Sequence, residues 1–269
     1  KDAMRPGHAD YTGHVKYDGY NDYRGGGHFS GRITAPLTFA GAIAKQILAK
    51  EGIVIGAHAL SVAGIMDFPF DPLGEEPDLF EKLSSMRLPV IDGEQGAAME
   101  EAIFAAQKEG DSVGGQIECM ALGLPVGMGE PFFDSLESEM AHMAFSIPAV
   151  KSISFGDGET LSGMRGSEAN DPMRYENGKV KTITNHNGGV LGGISNGNPL
   201  RFTVTIKPTA SIGKRQETVD ISKKEDTMLS IGGRHDPCIV TRAIPVVENA
   251  AAFVLLDLLL TGRRYHYGR

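Results

Sequence analysis

Apolar residues recur along this chain with two alternating periods. Residues 34–51 place Leu37, Ala40, Ile43, Ile47 and Leu48 on one stripe, the spacing of a helix packed on a core. Thr34 can cap its start, Pro36 suits its first turn and Gly52 closes it. Residues 53–65, rich in Val, Ile and Ala, predict a strand. A second helix runs from the cap Asp92 to Gly110 with Met99, Ile103 and Ala106 inward. The alternation of Val113, Gly115, Ile117, Cys119 and Ala121 predicts the strand after it. Asp134 caps a third helix to Phe145, carried by Leu136, Met140 and Met143. Residues 150–155 are strand-like and stop at Gly156-Asp157-Gly158. Residues 161–187 are polar, with the turn Asn177-Gly178 between two strand-like runs. Phe202, Val204 and Ile206 alternate up to Lys207-Pro208, and residues 245–261 predict a long apolar helix closed by Gly262. Strand and helix alternate with no linker between them, which predicts one α/β domain over residues 1–269. Residues 1–27 are polar and without period, the pattern of a functional loop.

Composition changes this picture in one respect. Glycine supplies 35 of 269 residues, well above a typical share of roughly 7%. It clusters at 25–27, 114–115, 188–189, 192–193 and 232–233. Glycine lets a ligand approach the backbone closely, so the clusters suggest a ligand wrapped by loops, with 114–115 better read as a turn or bulge. A net charge of −8 with no basic stripe argues against a nucleic-acid partner. Cys119 and Cys238 have no metal or disulfide spacing and read as reduced cytoplasmic thiols. The longest apolar run, 250–260, is broken by Asp257 and is short of the roughly 20 residues that span a bilayer, so no membrane partner is expected.

Most of the chemistry-bearing residues fall in three glycine-rich segments. The first is Arg5-Pro6-Gly7-His8-Ala9-Asp10 with Arg24 to Arg32; the second is Asn185-His186-Asn187-Gly188-Gly189 running on to Ser195. The third is Lys207-Pro208-Thr209-Ala210-Ser211 with Gly232-Gly233-Arg234-His235-Asp236-Pro237-Cys238. Glycine-rich backbone presents N–H groups to an anion, and arginine adds a bidentate grip. Arg24 and Arg32 bracket a glycine run that leads into a helix start, another anion-favouring feature. The pattern suits small phosphorylated ligands. Two other readings stay open: turns with surface arginines, and a metal site at His8, Asp10 and His14. His58, on an apolar strand pattern, reads as a satisfied core or interface histidine; His142 reads as structural. The stretch 123–129 lacks the Lys-Ser/Thr ending of a phosphate loop.

Arg5-Pro6-Gly7-His8-Ala9-Asp10-Tyr11, Asp22-Tyr23-Arg24-Gly25-Gly26-Gly27 and Ser30-Gly31-Arg32 together resemble the central signature of the chorismate synthase family, and Arg234-His235-Asp236-Pro237-Cys238 resembles its C-terminal one. The other two segments lie between them in the family's order. The resemblance implies a β-α-β sandwich of antiparallel sheets and helices, α/β (α+β) in class, and a homotetramer. It implies a lyase that removes phosphate from 5-enolpyruvylshikimate 3-phosphate by anti-1,4-elimination, using reduced FMN, with NADPH at most an indirect source of electrons. By position, His8 and Asp236 match catalytic residues, and Arg5, Arg32 and Arg234 match substrate-holding arginines. His28, Phe29, Ser30, Pro148, Ala149, Gly192, Lys207, Pro208, Thr209, Ala210, Ser211 and Arg234 match FMN contacts. No resident metal is implied. Many relatives carry Arg-Ser-Ser-Ala-Arg where this chain has His28-Phe29-Ser30-Gly31-Arg32. The family pattern also begins with a stretch bearing a second histidine in a Ser-His-Gly context; this sequence contains no Ser-His-Gly, so the chain is expected to be the family domain without its N-terminal part. A non-catalytic FMN- or phosphate-binding fragment is the alternative, and a metal-dependent hydrolase a more distant one.

Overall fold

The structure, a computed structural model, describes residues 2–233 and 235–266, without the side chains of 263–266. Inside the polar opening lies a short helix, α1 (Asp10–Lys16), followed by a 3-10 stretch, Arg24–Phe29. Then come α2 (Thr34–Lys50), β1 (Val54–Val62), β2 (Ile65–Met66), α3 (Pro77–Ser84), α4 (Gly93–Lys108) and β3 (Gly115–Leu122). The middle holds α5 (Leu136–Ser146), β4 (Val150–Phe155), α6 (Gly166–Ala169), β5 (Met173–Glu176), β6 (Lys179–Thr182), β7 (Val190–Leu191) and β8 (Ile194–Ser195). The chain ends with β9 (Leu200–Ile206), the hairpin β10 (Gln216–Asp220) and β11 (Glu225–Leu229), and α7 (Val240–His266).

Five strands form one antiparallel sheet in the order β2-β1-β3-β9-β4. Helices α2, α5 and α7 form the main core with one face, where Ile55, Ala57, Ala59, Ile117, Cys119, Phe202 and Val204 are buried. The second face is covered as well: α3 lays Phe80 and Leu83 against Met120, and Phe70 joins them. A strand covered on both sides shows burial along its whole length, as β1 does. Helix α2 crosses α7 so closely that a Cβ at Gly41 would lie 2.1 Å from the Asn249 carbonyl oxygen, so only glycine fits there.

The elements differ from the sequence pattern at their ends. Ser135, not Asp134, caps α5, its Oγ accepting from the Ser138 amide at 3.0 Å. The predicted strand at 53–65 folds back at Ala63 and Gly64, both at positive φ. Pro245 lies inside α7, which begins five residues earlier. At this length α7 is apolar enough to cross a membrane, contrary to the short run seen in the sequence. Its buried Val240, Ile244, Val247, Ala251 and Leu255 pack on α2 and β1, the role of a core helix. The hairpin β5–β6 turns at Asn177 and Gly178, both at positive φ, as the dipeptide predicts.

On the α3 face a row of charges crosses the sheet. His58 Nε2 meets Glu118 Oε2 at 3.0 Å, its directly paired neighbour, and His58 Nδ1 meets Asp67 Oδ2 at 3.2 Å. Arg201 Nη1 reaches Glu118 Oε1 at 3.4 Å and Arg201 Nη2 reaches Asp157 Oδ1 at 2.6 Å; Asp157 also holds His186 Nδ1 at 2.6 Å. Glu118 accepts from the Phe70 amide, and Asp67 from the amides of Ile91 and Asp92.

Candidate active site

The N-terminal segment is fixed before it reaches its chemistry. Ala3 bridges Asp220, the Met4 amide donates to Val219 O at 3.1 Å, and the Ile221 amide donates to Asp2 O at 3.0 Å. Residues 2–4 thus extend the β10–β11 hairpin by an edge, and Arg5 emerges from it. Arg5 Nε and Nη2 each lie 2.7 Å from an Asp10 oxygen, a two-pronged ion pair, and the Arg5 amide donates to the same carboxylate at 3.1 Å. The third guanidinium nitrogen, Nη1, donates to Ser211 Oγ at 3.3 Å. His8 Nδ1 stands 2.7 Å from Asp10 Oδ1, with the ring turned off the line of an ideal hydrogen bond.

The strand β9 delivers the opposite wall. Its continuation places Lys207 Nζ 2.5 Å from Gly7 O, while the Lys207 amide donates to Ala149 O at 3.0 Å. Ser112 Oγ holds Thr209 O at 2.7 Å. The Thr209 hydroxyl is buried and has no hydrogen-bond partner among the described residues. Across from it, Gly25, Gly26 and Gly27 all adopt positive φ (59°, 86° and 51°). A Cβ on Gly26 would sit 3.3 Å from His8 Nε2, so the missing side chain leaves that nitrogen facing bare backbone. Tyr17, His28 and Phe29 stack beside this run, His28 and Phe29 with ring centroids 4.5 Å apart. Ser30 Oγ accepts from the Arg32 amide at 3.3 Å.

Burial, together with the positive charges of Arg5 and Lys207, holds the His8 imidazole below its ordinary value against the opposing pull of Asp10. It is a neutral base at neutral pH. Burial raises the Asp10 carboxyl, but the Arg5 hydrogen bonds outweigh that and hold it below the ordinary carboxylate value. Arg5 and Asp10 also line a cavity of about 390 Å³ with Met4, His14, Tyr23 and Ser230.

Asp236 lies beyond the next loop. Arg242 Nη1 is 2.8 Å from its Oδ2, and the Cys238 amide donates to its Oδ1 at 3.3 Å. It faces a second cavity of about 570 Å³ with Arg87, Glu100, Phe104 and Arg242. The two regions join through adjacent residues: Ser112 holds Thr209, and the Val113 amide donates to Pro237 O at 2.8 Å.

Comparison with known proteins decides what this arrangement belongs to. The chorismate synthase family model matches residues 1–260. The chorismate synthase of Dehalococcoides mccartyi is 47% identical over 260 residues, covering 97% of this chain and 70% of that protein. The chorismate synthase of Pyrococcus abyssi is 47% identical over 263 residues, covering 98% and 72%. A crystal structure of chorismate synthase superposes with a TM-score of 0.77 at 26% identity, covering 94% of this chain and 70% of that one. The chain belongs to the chorismate synthase family. It is therefore an enzyme, a lyase of aromatic biosynthesis, and its mixed antiparallel fold is that of a chorismate synthase.

In this chain the first glycine-rich segment meets the 207–211 stretch through Arg5–Ser211 and Gly7–Lys207, and Lys207 in turn meets Ala149. Two expected positions stand elsewhere. Gly192 turns β7 into β8 next to Gly193, which packs on Ser135 at the start of α5, whereas Ala149 and Lys207 lie past the end of that helix. Gly192 is therefore at the opposite end of the sheet in this chain. Asp236 opens on the second cavity, and Arg234 lies outside the described residues. The segment Asn185-His186-Asn187 serves the fold. Asp171 accepts from Thr184 Oγ1, the amides of His186 and Asn187 and Asn187 Nδ2, while Asn185 Nδ2 donates to Pro72 O and Pro199 O. The metal reading of His8, Asp10 and His14 loses its geometry, because both Asp10 oxygens already hold the Arg5 guanidinium. The sequence reading missed Ser112 and the structural reach of Asp10. Only the position of Asp10 two residues after His8 could have signalled the latter.

Proposed function

We propose that this protein releases phosphate from 5-enolpyruvylshikimate 3-phosphate to give chorismate, using reduced FMN. The observation that carries this reading is the convergence of Arg5, His8 and Asp10 with the glycine run and residues 207–211. The residues fit a flavin nucleotide. Thr209 offers a buried hydroxyl without a partner, Ser211 and Lys207 flank it, and the glycine run leaves a surface that no Cβ obstructs. When bound, reduced flavin supplies electron density to the reacting carbon and recovers it, so the elimination involves no net redox change. The chain's own residues do the rest. Arg5 and Arg32 hold the anionic substrate; Arg5 enters this role with its guanidinium already oriented by Asp10. Neutral His8 can take a proton at Nε2; Asp236, which opens on the neighbouring cavity joined to this region through Ser112 and Val113, is the carboxylate that would assist removal of the C6 hydrogen as the C3–O bond to phosphate breaks. In this reading residues 1–269 form one domain, completed by the N-terminal histidine stretch of the family pattern. The protein is a cytoplasmic homotetramer, and the exposed stripe of Phe39, Ile43 and Ile47 on α2 is an apolar face suited to subunit contact.

An anaerobic assay with reduced FMN and 5-enolpyruvylshikimate 3-phosphate tests the reading. Chorismate formation is expected when the N-terminal stretch is supplied, with little without it. Asp236→Asn is expected to keep flavin binding and lose most turnover. Flavin binding without any chorismate, under all these conditions, would leave a binding protein instead of a lyase.

A further inference from the structure

We propose that Asp10 is the positioning residue of this site: one carboxylate that fixes the Arg5 guanidinium and His8 together and turns the Nε2 lone pair of His8 toward the glycine run. The inference rests on the reading of His8 and Arg5 given above. Its basis is the number of groups that meet on one side chain. Asp10 accepts from Arg5 Nε and Nη2 at 2.7 Å each and from the Arg5 amide at 3.1 Å, and His8 Nδ1 stands 2.7 Å from its Oδ1, off the line of an ideal hydrogen bond. An ionised carboxylate can only accept hydrogen bonds. If His8 carried its hydrogen on Nε2, an unprotonated Nδ1 would stand 2.7 Å from a carboxylate oxygen, acceptor against acceptor. The hydrogen therefore belongs on Nδ1, and Nε2 is left as the basic atom, facing Gly26 where no side chain intervenes. The same grip points Arg5 Nη1 at Ser211, so one residue sets the direction of both an anion-holding and a proton-handling group. The balance of charge around the ring agrees with a neutral base: burial first, then Arg5 and Lys207, disfavour the imidazolium, and Asp10 opposes them.

The tautomer can be read without turnover. Imidazole nitrogen-15 NMR of the flavin-free chain is expected to show His8 with Nδ1 protonated and Nε2 bare at pH above its titration. Asp10→Asn, whose amide can donate to Nδ1, is expected to shift His8 toward the Nε2–H form. In the lyase assay the same variant should lower kcat by about 10²-fold, the scale of a misplaced reacting group, and raise KM through the loosened Arg5. Asp10→Glu keeps the charge and should restore the Nδ1–H form, with kcat within about tenfold of the parent. A parent spectrum with Nε2 protonated would overturn the proposal, and so would a His8 tautomer indifferent to Asp10→Asn. If the parent tautomer is as stated but no variant or parent makes chorismate, the positioning role stands and the lyase reading fails.

Discussion

Two histidines in this protein sit beside carboxylates and behave in opposite ways. His8 stands in a loop site, half-buried, with one carboxylate and two cations, Arg5 and Lys207, around it; burial and those cations keep it neutral. His58 is fully buried in the sheet, where desolvation alone would also neutralise it. Hydrogen bonds to Asp67 and Glu118 on its two nitrogens reverse that and raise it above its ordinary value of 6.5. Carboxylate acceptors on both nitrogens favour both N–H groups, so the core histidine is pushed toward the imidazolium while the loop histidine is pushed toward the free base. The contrast shows that burial alone does not set the state of a histidine: at His8 it prevails, and at His58 two carboxylate partners overturn it. It also separates stability from reactivity. The His58 row ties β1, β3 and β9 together across one face and has no lone pair to offer, whereas His8 keeps one open.

The sharpest way to break the comparison is to remove each ring. His58→Leu leaves Asp67 and Glu118 buried without their shared cation, and should cost about 3–5 kcal/mol in urea unfolding. Adding Glu118→Leu should return part of that loss; no recovery would mean that packing, not charge, was what the ring supplied. His8→Ala should instead lower turnover by about 10²- to 10⁴-fold while changing stability by less than roughly 1 kcal/mol. A large stability loss there would erase the distinction drawn between the two residues.

The pH dependence should differ in sign. His58 has a raised value in the fold, so its stabilisation is complete below 6.5 and is lost as pH rises through the folded value. His8 has a lowered value, so its effect runs the other way. Above 6.5 it carries no penalty, and stability declines as pH falls from 6.5 toward the folded value. Unfolding curves of the parent, His58→Leu and His8→Ala at several pH values resolve both, since each variant should cancel its own limb. The smallest effect expected is at the loop contact. Lys207→Met removes the hydrogen bond to Gly7 O and should loosen that turn by about 0.5–1.5 kcal/mol, seen as faster amide exchange around His8. Unchanged exchange would show that Arg5 and Asp10 hold the turn without help.

Much of this was legible along the chain, and the reasons for the misses are physical. Apolar period located α2, α4, β3, β4 and β9, and turn chemistry located the exposed Asn177-Gly178 hairpin; the stripe of α2 was misplaced, since it buries Gly41, Ala44 and Leu48 and leaves Ile43 and Ile47 exposed. α1 and α3 escaped, being short. Glu118 and Arg201 alternate away from the core stripe of β3 and β9 and carried no sequence signal of burial; the cover over that face comes from α3 and residues 67–72, whose placement no local pattern encodes. The glycine segments were recognised as chemistry-bearing, yet only one of the two upstream of residue 207 meets it.

The sequence by itself therefore determined which elements form, which family the domain joins and which residue types are available for chemistry. Propensity, periodicity and motif order are all local properties. The tertiary structure alone decided which loops meet: Gly7 with Lys207, Arg5 with Ser211, Ser112 with Thr209. Those partners lie about a hundred residues or more apart, and only the antiparallel order of β3, β9 and β4 brings their ends to one edge. The charge state of His58 followed from that same assembly, since Glu118 reaches it only across the sheet; His8 draws Arg5 and Asp10 from its own segment and only its burial and Lys207 from the fold.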